Sequence, residues 1–106
     1  MSEFLYRLHA TRSAMLTEGP TPEERKVVAA HLAYLQQLTA TGVVLLFGRT
    51  QTTDPGTFGI VIFRADSPDA ARQIMADDPV VRAHVMRAEV FPFRIVGVGP
   101  GLSAHA

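Results

Sequence analysis

Three features of this 106-residue chain predict an α+β fold, an antiparallel sheet with two helices on one face. Apolar residues alternate along the N-terminal segment. Two longer segments open on helix-start signals and continue with helical periodicity. Two apolar runs flank a short polar turn. A chain of this length argues for one domain, with a core large enough to need no covalent staples.

Residues 4–9 read as the first strand, with Phe4, Tyr6 and Leu8 on one face and Leu5, Arg7 and His9 on the other. Residues 11–20 read as a loop that ends in the breaker Gly19-Pro20. Thr21-Pro22-Glu23-Glu24 starts the first helix: Thr21 caps, Pro22 fits the first helical position, and Glu24 completes a capping box. The helix runs to about Thr41, where Gly42 supplies a left-handed stop. Residues 43–47 form the second strand, ended by Gly48, and residues 58–63 form the third. The turn signal Asp54-Pro55-Gly56 between them makes a hairpin. Ser67-Pro68 repeats the capping logic, and the second helix extends to about Asp78, because the residue before Pro79 is biased away from helix. Residues 80–87 are ambiguous, with room for a short helical turn. Residues 89–96 are the fourth strand, where Pro92 demands an edge position or a bulge. The order βαββαβ with right-handed crossovers gives the ferredoxin-like fold over residues 1–96, followed by a flexible glycine-rich tail over 97–106.

Composition narrows the function. Ten basic and ten acidic residues cancel, which argues against binding nucleic acid through its phosphates. The absence of cysteine excludes disulfides, thiol nucleophiles and thiolate zinc sites, and suits a reducing cytoplasm. No basic segment with an apolar stretch opens the chain, and no apolar run spans a bilayer, so a cytoplasmic protein with no membrane association is expected. The four histidines lack metal-site spacing, and no Gly-x-Gly-x-x-Gly follows a strand, so neither a metal nor a cofactor is expected.

The second and third strands do not alternate. Residues 43–47 are all apolar and residues 59–63 carry no charge, so both sheet faces want cover. Two helices cover one face. The other predicts a homodimer closed sheet against sheet into an α+β barrel, unless loops and the tail cover it.

His31 lies on the apolar stripe of the first helix, with Val28, Leu32, Leu35 and Leu38. An imidazole there needs a partner or a task. Asp78 falls on the face of the second helix defined by Ala71, Ile74 and Met75, whereas Asp77 falls aside. A carboxylate at a helix C-terminus faces the wrong end of the dipole, so Asp78 is either a helix stop or is compensated by a neighbour. Both helices pack on the same sheet face, so His31 and Asp78 are expected to meet between them. A carboxylate holding one ring nitrogen fixes the tautomer and frees the other nitrogen as a base. Tyr34 offers a hydroxyl from the edge of the stripe. His9 and Arg7 share a strand face, to hold an anionic substrate or to lie at the dimer interface. Arg12 stands where it would close the pocket mouth. Each has a structural alternative: a core histidine bonded to a carbonyl, a helix stop, a packing tyrosine, solvated arginines.

His31-Leu32-Ala33-Tyr34-Leu35, Gly42 with its apolar strand, Asp77-Asp78-Pro79-Val80 and Val90-Phe91-Pro92-Phe93 resemble the YCII-related (YciI-like) family, over roughly residues 4–96. The resemblance implies a ferredoxin-like fold dimerising as an α+β barrel, with a His-Asp site at His31 and Asp78. It also implies acid–base chemistry, elimination or isomerisation, on small ring-derived metabolites. The chain departs from the family at Val80, where an aromatic is usual. The expectation is therefore a small-molecule enzyme, a lyase or isomerase without a cofactor. The alternative is a non-catalytic dimeric module that binds a ligand or a protein and uses His31 and Asp78 as a structural pair.

Overall fold

The alternating N-terminal segment forms β1 (Ser2–Ala10), which lies inside a four-stranded antiparallel sheet. There follow α1 (Ala14–Thr17), α2 (Pro22–Ala40), β2 (Val44–Arg49), β3 (Gly59–Ala65), α3 (Pro68–Asp77), α4 (Pro79–Arg82) and β4 (Met86–Phe93). The structure is a computed structural model that describes residues 1–105, with side chains as far as Leu102. The strand order is β2-β3-β1-β4, and the helices lie on one face, giving the ferredoxin-like α+β fold that the sequence predicts.

Register decides which side chains meet the helices. Tyr6 lies opposite Val61 of β3 and Val90 of β4, and Phe4 lies opposite Phe63 and Pro92. Phe4, Tyr6, Leu8, Val61 and Phe63 therefore share one face, and they pack with Leu35 of α2, Ala71 of α3 and Val80 of α4. The Tyr6 and Phe63 rings meet edge to face at 5.4 Å, a favoured aromatic arrangement. Burying an aliphatic or aromatic side chain of this size contributes about 1.5–3 kcal/mol, so this layer supplies most of the drive to fold.

Several boundaries differ from the sequence reading for identifiable reasons. The loop after β1 contains a helical turn, α1, which buries Met15. Gly48 does not end β2, because Gly48 and Arg49 still pair with Ile60 and Gly59. The second long helix stops at Asp77, and Asp78 adopts extended geometry (φ −62°, ψ 126°) as the cap of α4. Its side chain accepts from the Val80 amide, so Asp78 serves a helix start and does not oppose a helix end. The chain turns into β4 through His84 at φ +58°, and β4 begins earlier than expected. It is an edge strand, where the missing N–H of Pro92 is tolerated. Beyond it the expected tail includes a 3-10 helix, Pro100–His105; Ala106 lies outside the described residues.

The face opposite the helices carries Leu5, Ile60, Ile62 and Leu46, with Phe91 and Phe93 41% and 39% exposed. Arg7 and Glu89, cross-strand partners, form an ion pair at 3.0 Å there. No helix of the described residues is long and apolar enough to cross a membrane.

The start of α2 is tied to the preceding loop. Thr21 Oγ1 accepts from the Glu24 amide at 3.1 Å, and Glu24 Oε1 accepts from the Thr21 amide at 2.8 Å. Arg12 adds a forked pair, Nε to Oε2 at 2.9 Å and Nη2 to Oε1 at 2.5 Å. The Arg12 guanidinium, and then the Thr21 amide, hold the Glu24 carboxyl down at about 2. A lowered carboxyl stabilises the folded chain above its ordinary value near 4.5, and the contribution disappears as pH falls through about 2. Glu24→Gln should lower the melting temperature at neutral pH, with the gap to the parent closing as pH drops towards 2. Thermal melts across this range check it; an equal gap at pH 2 and pH 7 contradicts it.

Candidate functional site

The inward face of β1, the apolar stripe of α2 and the α3–α4 junction converge on one carboxylate. Asp78 is fully buried, and burying a charge is costly unless hydrogen bonds compensate it. Three donors do so. His31 Nδ1–H donates to Oδ1 at 2.7 Å and lies 2.9 Å from Oδ2. The Tyr6 hydroxyl donates to Oδ2 at 2.8 Å. The Val80 amide donates to Oδ1 at 3.1 Å. Asp78 comes from the α3–α4 junction because Pro79 forces its predecessor out of helix, and the extended backbone lets the side chain cap α4. Burial, and then the charge and hydrogen bond of Asp78, push the Tyr6 phenol far above its ordinary value, so Tyr6 is a permanent donor.

A carboxylate only accepts, so the contact assigns the proton to Nδ1 of His31 and leaves Nε2 with the lone pair. The imidazole is 16% exposed and lines a cavity of about 700 Å³. Val28, Leu32 and Leu35 of α2 form one wall, and Phe47 and Phe58 form another. Leu32 is 45% exposed although it lies on the apolar stripe, because it borders this opening. The loop carrying α1 supplies Met15 and Leu16. The loop between β2 and β3 supplies Thr52, Thr53 and Thr57, two of which are joined hydroxyl to hydroxyl at 2.7 Å. The size and the mostly apolar wall with a few polar groups are those of a small-molecule pocket. Among the described residues, no group of three or more His, Asp and Glu side chains is arranged to hold a metal ion.

The other residues singled out in the sequence lie elsewhere. Tyr34 donates its hydroxyl to the Ile74 carbonyl at 2.7 Å, tying α2 to α3. Burial, with the charges of Asp77 and Asp78, pushes its phenol up to about 12. Arg7 is paired with Glu89, and His9 stacks near Phe58 with ring centroids 6.0 Å apart; both come from the β1 face turned away from the helices. Arg12 is engaged with Glu24 and the Gly19 carbonyl. None of these four is among the residues lining the cavity. Tyr6 escaped the sequence reading because its position on an inward strand face marks a core aromatic. The available signal was its hydroxyl, which needs a buried partner. Arg25 and Arg49 also line the cavity, and nothing in their local pattern separates them from surface arginines.

The model of the YCII-related domain matches residues 4–94. The chain belongs to this family. The match takes in both long helices and all of the sheet except the first two residues of β1, and both His31 and Asp78 fall within it. Among solved structures, the fold is shared with 5-chloro-2-hydroxyhydroquinone dehydrochlorinase from Burkholderia phenoliruptrix, in complex with 2,5-dihydroxybenzoquinone. The TM-score is 0.61 at 22% identity, covering 86% of this chain and 93% of that one. An uncharacterized protein from Thermotoga maritima matches at a TM-score of 0.54 and 11% identity, covering 87% of this chain and 95% of that one. A NIPSNAP family protein from Agrobacterium tumefaciens matches at 0.51 and 15%, covering 94% and 98%. At these identities the likeness establishes a shared fold. No curated protein matches the chain by sequence.

The buried network carries a measurable coupling. Tyr6→Phe strips one donor from a buried carboxylate and should cost about 1–3 kcal/mol. Because Asp78→Asn disturbs the same bonds, the double variant should cost less than the sum of the single ones, by about 1 kcal/mol or more. Urea melts of the two single variants and the double variant measure this. Additive losses would contradict a shared network.

Proposed function

We propose that this protein is a cofactor-independent enzyme that moves protons on a small ring-shaped metabolite, with His31 as general base and Asp78 as the group that orients it. One observation carries the reading: His31 is bonded through Nδ1 to a buried carboxylate and at the same time borders a cavity of ligand size. Nε2 takes a proton from the substrate, and Asp78 stabilises the imidazolium that forms. If the proton returns at another atom, the reaction is an isomerisation. If a leaving group departs with its bonding electrons, the reaction is an elimination. Neither changes the oxidation state of the protein or calls for a redox partner. The dehydrochlorinase with the same fold, bound to a dihydroxybenzoquinone, supports a ring compound and an elimination. The absence of cysteine suits a reducing cytoplasm.

A second reading has its own support. Asp78 caps α4 and anchors Tyr6 as well as His31, work that a purely structural residue would do. In that case the cavity binds a ligand without turning it over. The readings separate in one experiment. Lactones and hydroxylated or chlorinated ring compounds are screened by thermal shift, and hits are tested for turnover. His31→Ala and Asp78→Asn should each lower turnover about 100-fold or more while the chain stays folded. Turnover at the parent rate in His31→Ala sinks the general-base reading.

The open sheet face supports a homodimer. Phe91 and Phe93 are exposed beside the half-buried Leu5, an apolar surface of the kind that monomers rarely leave in water. A second copy meeting it sheet to sheet gives a closed α+β barrel. The parent chain should elute as a dimer, and Phe91→Asp should elute as a folded monomer. Light scattering coupled to size exclusion reads the mass, and a monomeric parent chain rejects the barrel.

A further inference from the structure

Two arginines line the His31 cavity, and the proton-transfer reading gives neither of them a role. Arg25 comes from the first turns of α2 and Arg49 from the end of β2. Among the described residues, neither guanidinium has an ion-pair or side-chain hydrogen-bond partner; both are exposed, and what separates them from the equally unpaired Arg64, Arg82, Arg87 and Arg94 is that they border the cavity. No aspartate or glutamate lines the cavity; Asp78 lies behind His31 with its oxygens already engaged. The chain as a whole has no net charge, so two unpaired cations on one apolar cavity are a local concentration of positive charge.

The position of Arg25 sharpens the point. It follows Glu24 near the N-terminus of α2, the end of a helix where the dipole favours anions over cations. The acidic residue adjacent in sequence, Glu24, is bound to Arg12 and to the Thr21 amide. Water solvates the exposed Arg25 guanidinium, and no protein carboxylate occupies its donors, so they are open to an anion in the cavity. Arg25 precedes His31 by six residues, an axial rise of about 9 Å, so a ring compound spans from the guanidinium to the imidazole.

We propose that the cavity takes its substrate as an anion: a planar, largely apolar ring carrying one carboxylate or ionised hydroxyl, held by Arg25 and Arg49 at the mouth while the ring faces His31. A guanidinium offers paired N–H donors to a carboxylate, and such charge-assisted bonds are about twice as strong as neutral ones. The apolar walls, Leu8, Val28, Phe47 and Phe58 among them, cover the ring faces. The arginines fix the end of the ring bearing the charge, and so decide which carbon comes to Nε2. In this arrangement they are specificity residues, and the base remains His31. The assignment rests on the proton-transfer reading of the same cavity, but its test reads binding and not turnover.

The probes are 2-naphthoate and its neutral twin 2-naphthamide, titrated by calorimetry into the parent chain, the Arg25→Gln/Arg49→Gln double variant and His31→Gln. The parent should bind the acid at least about tenfold more tightly than the amide, with the preference shrinking as salt is raised. The double variant should lose the preference while binding the amide as the parent does. His31→Gln should keep it. Equal binding of both probes, binding of neither, or a preference that survives in the double variant overturns the assignment. A preserved acid preference in a protein that never turns over a substrate leaves the anion site standing and removes only the catalytic reading.

Discussion

A buried aspartate organises this molecule. Asp78 is removed from water in the middle of the helical layer, and its carboxylate holds its place only while donors surround it. Those donors come from three different elements: a strand phenol, a helix imidazole and the first turn of another helix. Each was brought there by a simpler local rule. Tyr6 faces inward by strand alternation, His31 by helical periodicity, and Val80 by the proline that breaks α3 from α4. The carboxylate joins what these rules place near one another, and it fixes how the helical layer sits on the sheet.

The same bond determines what His31 can do. A histidine packed in a core has both nitrogens to satisfy, and commonly the surroundings satisfy both. Here Asp78 satisfies one, and the ring borders a cavity instead of more protein. The tautomer is fixed from behind, which a free base in water does not enjoy, and the lone pair is left on Nε2. Tyr6 contributes indirectly. Its phenol, pushed up by burial and by Asp78, stays a donor and keeps the carboxylate oriented.

Much of this was legible in the sequence, because periodicity and capping are local codes. The cap of α2 and the inward set Phe4-Tyr6-Leu8 follow from spacing; the sequence left Pro92 at an edge or a bulge, and offered the approach of His31 to Asp78 as one reading that the family resemblance strengthened. What spacing hides is what a side chain meets at a distance. Asp78 looked like the end of one helix and is the start of the next, because a proline permits both and only ψ decides. Tyr34 was placed near the right face but spends its hydroxyl on the Ile74 carbonyl. Arg12 lay beside the right loop and met Glu24 first. Arg25 carried no signal at all, since a cavity between a helix and two loops has no counterpart in any single stretch of residues.

The sheet separates two tasks and then lets them touch at one corner. Along β3 the inward residues, Val61 and Phe63, belong to the core, while Ile60 and Ile62 turn to the open face. Over most of the sheet, events on one face are screened from the other by a full layer of packed side chains. At the end where Gly48 and Arg49 pair with Ile60 and Gly59, the two glycines add no side chains to the layer. Arg49, Phe58 and Ile60 border both the His31 cavity and a shallow depression at the same edge. Side chains at this corner, Arg49 among them, therefore stand where the cavity mouth and the edge of the open face meet.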